Sequence, residues 1–500
     1  MESSPYLINK NYINKKVDKT SAINQLISII ENSDNLSTRI ESINLLAQIN
    51  ANTNNVFKLI ENLLISDTNE SIRLAAASII EKLFLNDALE PLRWTFKHEE
   101  SLKCLVAISK ILGRIDTVQS KSLIIEKIRE IKNKKIVESL QGLYIKGEFD
   151  NLSSYALSRI VENSFIIKDL ENKFGQINFT VKDGLILQLD LSDVSSHIFG
   201  WTILNKFPEF IEFLTSLENL DLKFNRLITI PDSIGLLTSL IKLDLSYNKI
   251  KSIPSSIGSL KSLRLLNLRY NKIRDLPTSI GSLNSLKSLN LRANSLKNLP
   301  KTIKNILNLE VLDLHGNKLN DTKLSLKGNN KIKRLDLGLN SIEKLPKWVK
   351  NLKNLRYLGL GGNKLRSLPK WIGSFSFLES LHLFDNKLHE LPESIGTLSK
   401  LEELTLWNNQ LSTLPESFRN LKKLKILNLS WNNFTDELPY WIGSLTSLEI
   451  LSLWGNSLKL LPKSLENLTN LKILDLNFNN IEEIPPFLNT LEKKGLIIYK

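Results

Sequence analysis

Over the last 300 residues the apolar positions recur on a fixed beat. Around Asn248 they fall at Leu240, Leu243, Leu245, Ile250, Ile253, Ile257 and Leu260, and the pattern restarts at Leu263. The alternation Leu243-x-Leu245 predicts a short strand that buries both leucines and leaves Lys242, Asp244 and Ser246 on an open face. The asparagine that follows each strand recurs at Asn225, Asn248, Asn271, Asn294, Asn317, Asn340, Asn363, Asn386, Asn409, Asn432, Asn456 and Asn479. Every gap is 23 residues except that from Asn432 to Asn456, which is 24. A period of this length predicts stacked coils. One coil cannot cover its own leucines, so its neighbours must complete the core. The asparagine amide is suited to pair backbone groups left open by the turn. Pro254 suits the end of that turn, and Gly258 is expected to allow a bend before Leu260.

The run Leu-x-x-Leu-x-Leu-x-x-Asn-x-Ile-x-x-Ile-Pro-x-x-Ile-Gly-x-Leu resembles leucine-rich repeats. Its 23-residue Ile-Pro-x-x-Ile-Gly form is similar to the plant intracellular Ras-group-related and Ras-scaffold class. The resemblance covers residues 185–500 and implies a parallel-stranded α/β horseshoe of about 12–14 repeats that serves as a binding platform. Two units depart from the pattern. One has Lys323 and Lys327 where Pro and Gly are expected, and the other, Phe434-Thr435-Asp436-Glu437-Leu438-Pro439, carries an inserted residue. The unit leading to Asn225 is longer, by about eight residues. Phe179–Lys182 is expected as an entry strand, and Leu496–Tyr499 as a closing one that shields the last edge.

The first part of the chain has a helical period. Residues 1–20 are polar, lack the apolar core of a signal peptide and are expected as a disordered tail. In residues 21–152, Arg39, Arg73 and Lys103 open three similar segments, each preceded by a helical run. Helix pairs of this kind resemble HEAT repeats, which implies an all-α helical solenoid ahead of the horseshoe. Residues 153–184 are expected as a helical cap, ending near Gly175, and an entry strand.

The charge is divided unevenly along the chain. Residues 1–200 carry 24 Lys+Arg against 25 Asp+Glu, and residues 201–500 carry the remaining 42 against 27. Much of the excess follows the ladder asparagines by one or three positions. It comprises Arg226, Lys249, Lys251, Lys272, Arg274, Lys297, Lys318, Lys364, Arg366 and Lys387. Such an edge is either a solvated face or a surface that steers an acidic protein. Nucleic acid is disfavoured because the edge shows no interleaved aromatics. The single cysteine, Cys104, excludes an internal disulfide framework and fits a reducing, cytoplasmic setting. No apolar run is long enough to span a membrane.

Strands about 4.8 Å apart allow the open face to be read in columns. Two residues before each asparagine the first coils place Lys223, Arg269, Arg292 and His315, beside an acidic column at Asp221, Asp244, Asp313 and Asp336. The middle is glycine-rich and expected bare, with Gly338, Gly359, Gly361 and Gly362. The last coils carry Phe384, Trp407 and Trp454, with Trp431 one before its asparagine. Exposed aromatics of this kind mark interaction sites unless they stack on one another. Trp348, Trp371 and Trp441 fall on the opposite side and are expected to pack there.

No catalytic constellation emerges. Leu358-Gly359-Leu360-Gly361-Gly362-Asn363 is a repeat strand, with no helix opening on it to cradle a phosphate. His315 and His382 lie three strands apart, about 14 Å, too far to share a metal. No cofactor or metal is expected. The sequence points to a non-enzymatic scaffold or adaptor in intracellular signalling that binds a protein. A Ras-like small GTPase is a partner class that only the family resemblance implies. A carbohydrate or peptide sensor using the aromatic zone is the alternative, and a nucleic-acid binder is a weaker one.

Overall fold

The computed structural model describes residues 4–194, 204–320, 326 and 328–500. By its contacts the chain divides into two units. The first comprises Met1–Asp190 and Pro208–Leu217, and the second Leu191–Phe207 and Glu218–Lys500.

The first unit is helical. Its pairs are Lys19–Asn32 with Leu36–Gln48, Asn54–Ser66 with Glu70–Leu83, and Leu89–His98 with Leu102–Ile115. Most of the helices start at a residue whose side-chain oxygen accepts an early backbone N–H, among them Asp18, Asn35, Thr53, Asn69 and Ser101. The second helix of each pair carries in its first turn the basic residue expected from the sequence. Arg39 pairs with Asp67 at 2.7 Å, and Arg73 grips both Glu99 oxygens at 2.8 and 2.9 Å. Lys103 instead reaches Glu70 and Glu209. Cys104 is buried, which pushes its thiol up to about 11, and it belongs to the core.

The expected tail is corrected in part. Pro5–Ile13 is a helix, capped by Ser4 and anchored by buried Ile8. Ser followed by Pro at the first helical position is a start signal that a purely compositional reading of residues 1–20 overlooks.

Ser154–Phe174 ends at Gly175 in a positive-φ conformation and packs on Leu102–Ile115. Its Asn163 accepts the N–H of Ile186, fixing the hairpin of Asn178–Lys182 and Leu185–Asp190. Glu162 on this helix is buried, and its Oε1 finds no partner among the described residues. Burial pushes its carboxyl up from the ordinary 4.5 to about 7, against the pull of Ser158 and Arg159.

The second unit is a parallel sheet laid down in chain order from Asn219–Asp221 to Ile497–Tyr499. Register is strict, with Leu220, Leu243, Leu266, Leu289 and Leu312 side by side. After each strand the chain turns at the ladder asparagine and runs on to a proline. A 3₁₀ turn follows, as in Ser255–Ser259 after Pro254. Gly258 serves close approach and not a bend, since a Cβ there would lie 2.6 Å from the Ser279 carbonyl oxygen of the next coil.

The inserted residue of the 24-residue unit goes into a small second sheet, Thr435–Glu437 paired with Ser457–Leu460. Lys323 and Lys327, and most of the extra stretch before Asn225, lie outside the described residues.

Each ladder asparagine ties its coil to the one before. Asn271 donates to Leu245 O at 2.9 Å in the preceding coil and to Leu268 O at 3.0 Å in its own. Its Oδ1 accepts the Ile250 N–H at 3.0 Å. The same bonds repeat from Asn248 to Asn479.

Two outcomes are expected. Asn271→Ala leaves buried backbone groups of two coils unpaired and should destabilise by about 1–3 kcal/mol, read as a lower denaturant midpoint. Glu162 has a folded-state value above its unfolded one, so stability should fall as pH rises from 4.5 to about 7 and stay reduced above that. Glu162→Gln should therefore stabilise the protein by about 3 kcal/mol at pH 8 and have little effect at pH 4, from 1.36 kcal/mol per pH unit.

Candidate functional site

In each coil the strand sends alternate side chains to the open face, six, four and two residues before the ladder asparagine. The residue immediately before the asparagine is left-handed in coil after coil. Phe224, Tyr247, Tyr270, Ala293, Leu339, Trp431 and Phe478 have φ between 46° and 56° there, and Gly316, Gly362 and Gly455 share the position. This turns the side chain onto the rim between the face and the exit edge.

The rim carries aromatics that the column reading did not include. Phe224 stacks on Tyr247 at 4.3 Å between centroids, and Tyr247 on Tyr270 at 4.5 Å. The Arg269 guanidinium lies 5.1 Å from the Tyr247 ring centroid. The signal was present in Phe224-Asn225-Arg226, Tyr247-Asn248-Lys249 and Tyr270-Asn271-Lys272, where an aromatic and a cation flank the same asparagine. The stated absence of interleaved aromatics is therefore corrected.

Among the charged residues of the first coils, Lys223 is tied to Asp221 at 3.0 Å. His315 Nδ1 lies 3.3 Å from Asp336 Oδ1. The glycine zone is not bare, since Gly338, Gly359 and Gly361 are buried. A Cβ at Gly338 would lie 2.6 Å from the His315 ring, and one at Gly359 2.6 Å from the Asp336 carboxylate. Phe384 covers Gly361, and Leu339 covers Gly362. The missing side chains leave room that neighbouring coils fill.

In the last coils Phe384 and Trp407 are parallel at 5.0 Å, with an interplanar angle of 1°. Trp431 meets Trp454 edge-on at 5.5 Å, and Trp454 contacts Phe478 at 6.0 Å. Trp431 and Trp454 remain 50% and 38% exposed despite these contacts. Between Trp407 and Trp454 the face drops to buried Ser430, whose hydroxyl bonds that of Ser452 at 2.7 Å. Trp348, Trp371 and Trp441 lie in the 3₁₀ turns Lys347–Asn351, Lys370–Ser374 and Tyr440–Ser444, away from the face.

The two edges differ in charge compensation. Seven residues before the asparagines, charges of opposite sign pair between coils. Lys333–Glu310 is 2.8 Å, Arg356–Glu379 2.7 Å, Lys425–Glu402 2.8 Å and Lys472–Glu449 2.6 Å. On the exit edge the ten predicted cations, from Arg226 to Lys387, are all exposed. None of them makes an ion pair among the described residues.

Models of leucine-rich repeat families match residues 333–405 and 381–493, described as a leucine-rich repeat region, and residues 215–273, described as a leucine rich repeat. An internalin of Listeria monocytogenes is similar at 25% identity and a TM-score of 0.51, over 67% of this chain and 88% of its own. The second unit is a leucine-rich repeat domain. A leucine-rich repeat protein of Leptospira interrogans has 29% identity and a TM-score of 0.47, over 67% of this chain and 98% of its own. The Toll–Spatzle complex of Drosophila has 25% identity and a TM-score of 0.51, over 59% of this chain and 41% of that one. Comparison with curated proteins gives no match.

At the centre of the leucine-rich repeat face lies a cluster whose outer column, six before the asparagine, the sequence reading passed over. Arg334 lies over the Tyr357 ring at 3.5 Å, and the Tyr357 hydroxyl donates to Asp336 at 3.2 Å. Burial, then the nearby Asp336 charge, pushes the Tyr357 hydroxyl up to about 12. Burial also works to raise the Asp336 carboxyl, but hydrogen bonds from His315 and the Gly338 N–H outweigh it and hold the carboxyl below its usual value. His382 Nδ1 contacts the Thr405 hydroxyl at 3.0 Å, and burial depresses the ring below 6.5, although Glu403 pulls the other way. Among the described residues no three His, Cys, Asp or Glu side chains gather to hold a metal, and no helix is long and apolar enough to cross a membrane.

A depressed histidine resists protonation in the folded state, so the His382 ring should titrate below 6.5 by NMR. A midpoint at or above that value would contradict the burial described.

Proposed function

We propose that the protein is a non-enzymatic scaffold or adaptor whose leucine-rich repeat domain binds an acidic protein across its open face and exit edge. Leucine-rich repeat domains bind other proteins. The observation that carries the acidic partner is the contrast between the edges. One neutralises its charges between coils, and the other displays exposed cations with no ion pair among the described residues. Cations left in water cost the fold little and speed encounter with an anionic surface.

The finer resemblance, to the intracellular Ras-group-related class, makes an acidic Ras-like small GTPase the partner to try first, in a cytoplasmic signalling role. The helical unit fits the HEAT kind, on the strength of its repeated Arg39–Asp67 and Arg73–Glu99 pairs.

A second reading is supported by the gap between Trp407 and Trp454. Its hydroxyl floor at Ser430 and Ser452, with aromatic residues on either side, suits a sugar ring or a peptide side chain.

Reversing Lys249, Lys272 and Lys364 to glutamate should slow association with a protein captured by the full chain. The difference between variant and wild type should shrink as salt rises. Trp407→Ala and Trp454→Ala should each weaken binding by about 2 kcal/mol if the aromatic zone anchors the partner. Association rates indifferent to charge and salt would remove the edge. Binding on a glycan array that is lost in Trp407→Ala would select the carbohydrate reading.

A further inference from the structure

The rim aromatics lean toward the following coil. Tyr247 stacks on Tyr270, Leu339 lies over Gly362, and Trp431 lies 2.9 Å from where a Cβ of Gly455 would be. Tyr270 is followed by Ala293 and then by Gly316. The three atoms nearest to where a Cβ of Gly316 would lie all belong to Ala293, with its Cα at 3.4 Å. Ala293 and Gly316 therefore form a shelf next to an exposed tyrosine. Leu339, on the far side, covers Gly362 in the coil beyond.

The left-handed position favours glycine or asparagine, yet here it holds Phe224, Tyr247 and Tyr270 in succession. Their stacking on one another accounts for the shared faces. It leaves the Tyr270 side toward Ala293 without a stacked ring among the described residues. Cations border the shelf on both sides. Arg292 stands on the open face, and Lys272 and Lys318 are exposed on the exit edge, with no ion pair among the described residues.

We propose that this shelf receives one aromatic side chain of an acidic peptide segment. The ring extends the Phe224–Tyr247–Tyr270 stack over Ala293, and flanking carboxylates meet Arg292, Lys272 and Lys318. This rests on the reading of the exit edge as a site for an acidic protein, and adds the residue that the partner inserts. A single-stranded nucleic acid fits less well. It needs an open ring face for each of several bases, whereas the inner faces of this stack are already occupied.

The test uses the full chain and fluorescence polarisation. Three labelled probes are compared: a short peptide of glutamate and aspartate with one central tyrosine, the same peptide with alanine in its place, and an oligouridylate of equal charge. The tyrosine peptide should bind about tenfold more tightly than the alanine peptide, the scale of one stacked aromatic pair. Ala293→Tyr and Ala293→Leu should abolish that preference and leave alanine-peptide affinity unchanged. Both side-chain types already occupy this column at Tyr270 and Leu339, with φ of 54° and 46°, so the fold has precedents for each.

Equal affinity of the two peptides for the wild type would overturn the shelf, as would a preference that survives both variants whenever they keep the wild-type melting temperature. The exit-edge reading would still stand if binding remained salt-dependent and was lost in Lys272→Glu. No binding of either peptide would overturn both. Tighter binding of the oligouridylate, lost in Ala293→Tyr, would replace the peptide with nucleic acid.

Discussion

The leucine-rich repeat domain depends on one amide repeated at nearly constant spacing. From Asn248 to Asn479 each ladder asparagine donates to carbonyls of its own coil and of the preceding coil, and accepts an N–H from the preceding coil. These groups lie in turns, away from the strand ladder, and most of the asparagines are buried. Without the amide, two coils would lose partners for buried backbone groups at once. A coil that gained or lost a residue ahead of the asparagine would break this pairing. The inserted residue of the 24-residue unit is instead taken up after Asn432, in the small sheet of Thr435–Glu437 and Ser457–Leu460.

The same constraint shapes the surface. Because register is strict, residues at equal distance from the asparagine form columns, and each column acquires its own environment. Seven before the asparagine, opposite charges meet between coils and pair. One and three after it, ten cations from Arg226 to Lys387, interrupted by Glu343, line up and stay in water. The left-handed residue just before it is delivered to the rim, where rings from successive coils stack. The basic edge and the aromatic rim are therefore consequences of one geometry.

Much of this was legible in the sequence, because the repeat converts linear spacing into spatial columns. The strands, the ladder, the exposure of the ten cations and the adjacency of Phe384 and Trp407 all follow from period alone. What was missed depends on where side chains lean. Spacing shows that Gly359 and Gly361 share a face, but not that Asp336 and Phe384 fold over them. A count by strand alternation leaves out the left-handed position, since φ above zero sends Tyr247 and Tyr270 to the rim. In the helical unit, composition hid the helix Pro5–Ile13, whose start is marked by two residues and whose anchor is Ile8.

The coupling of coils through the ladder is the central claim, and native-state hydrogen exchange tests it most directly. The N–H groups of Ile250, Ile273 and Leu365 bond to the Oδ1 of Asn271, Asn294 and Asn386 at 3.0 Å, outside any strand. They should be protected as strongly as the strand amides of Leu243 and Leu266, opening only when the domain unfolds. Exchange of these amides at the rate of exposed turns, with the strands still protected, would contradict the account.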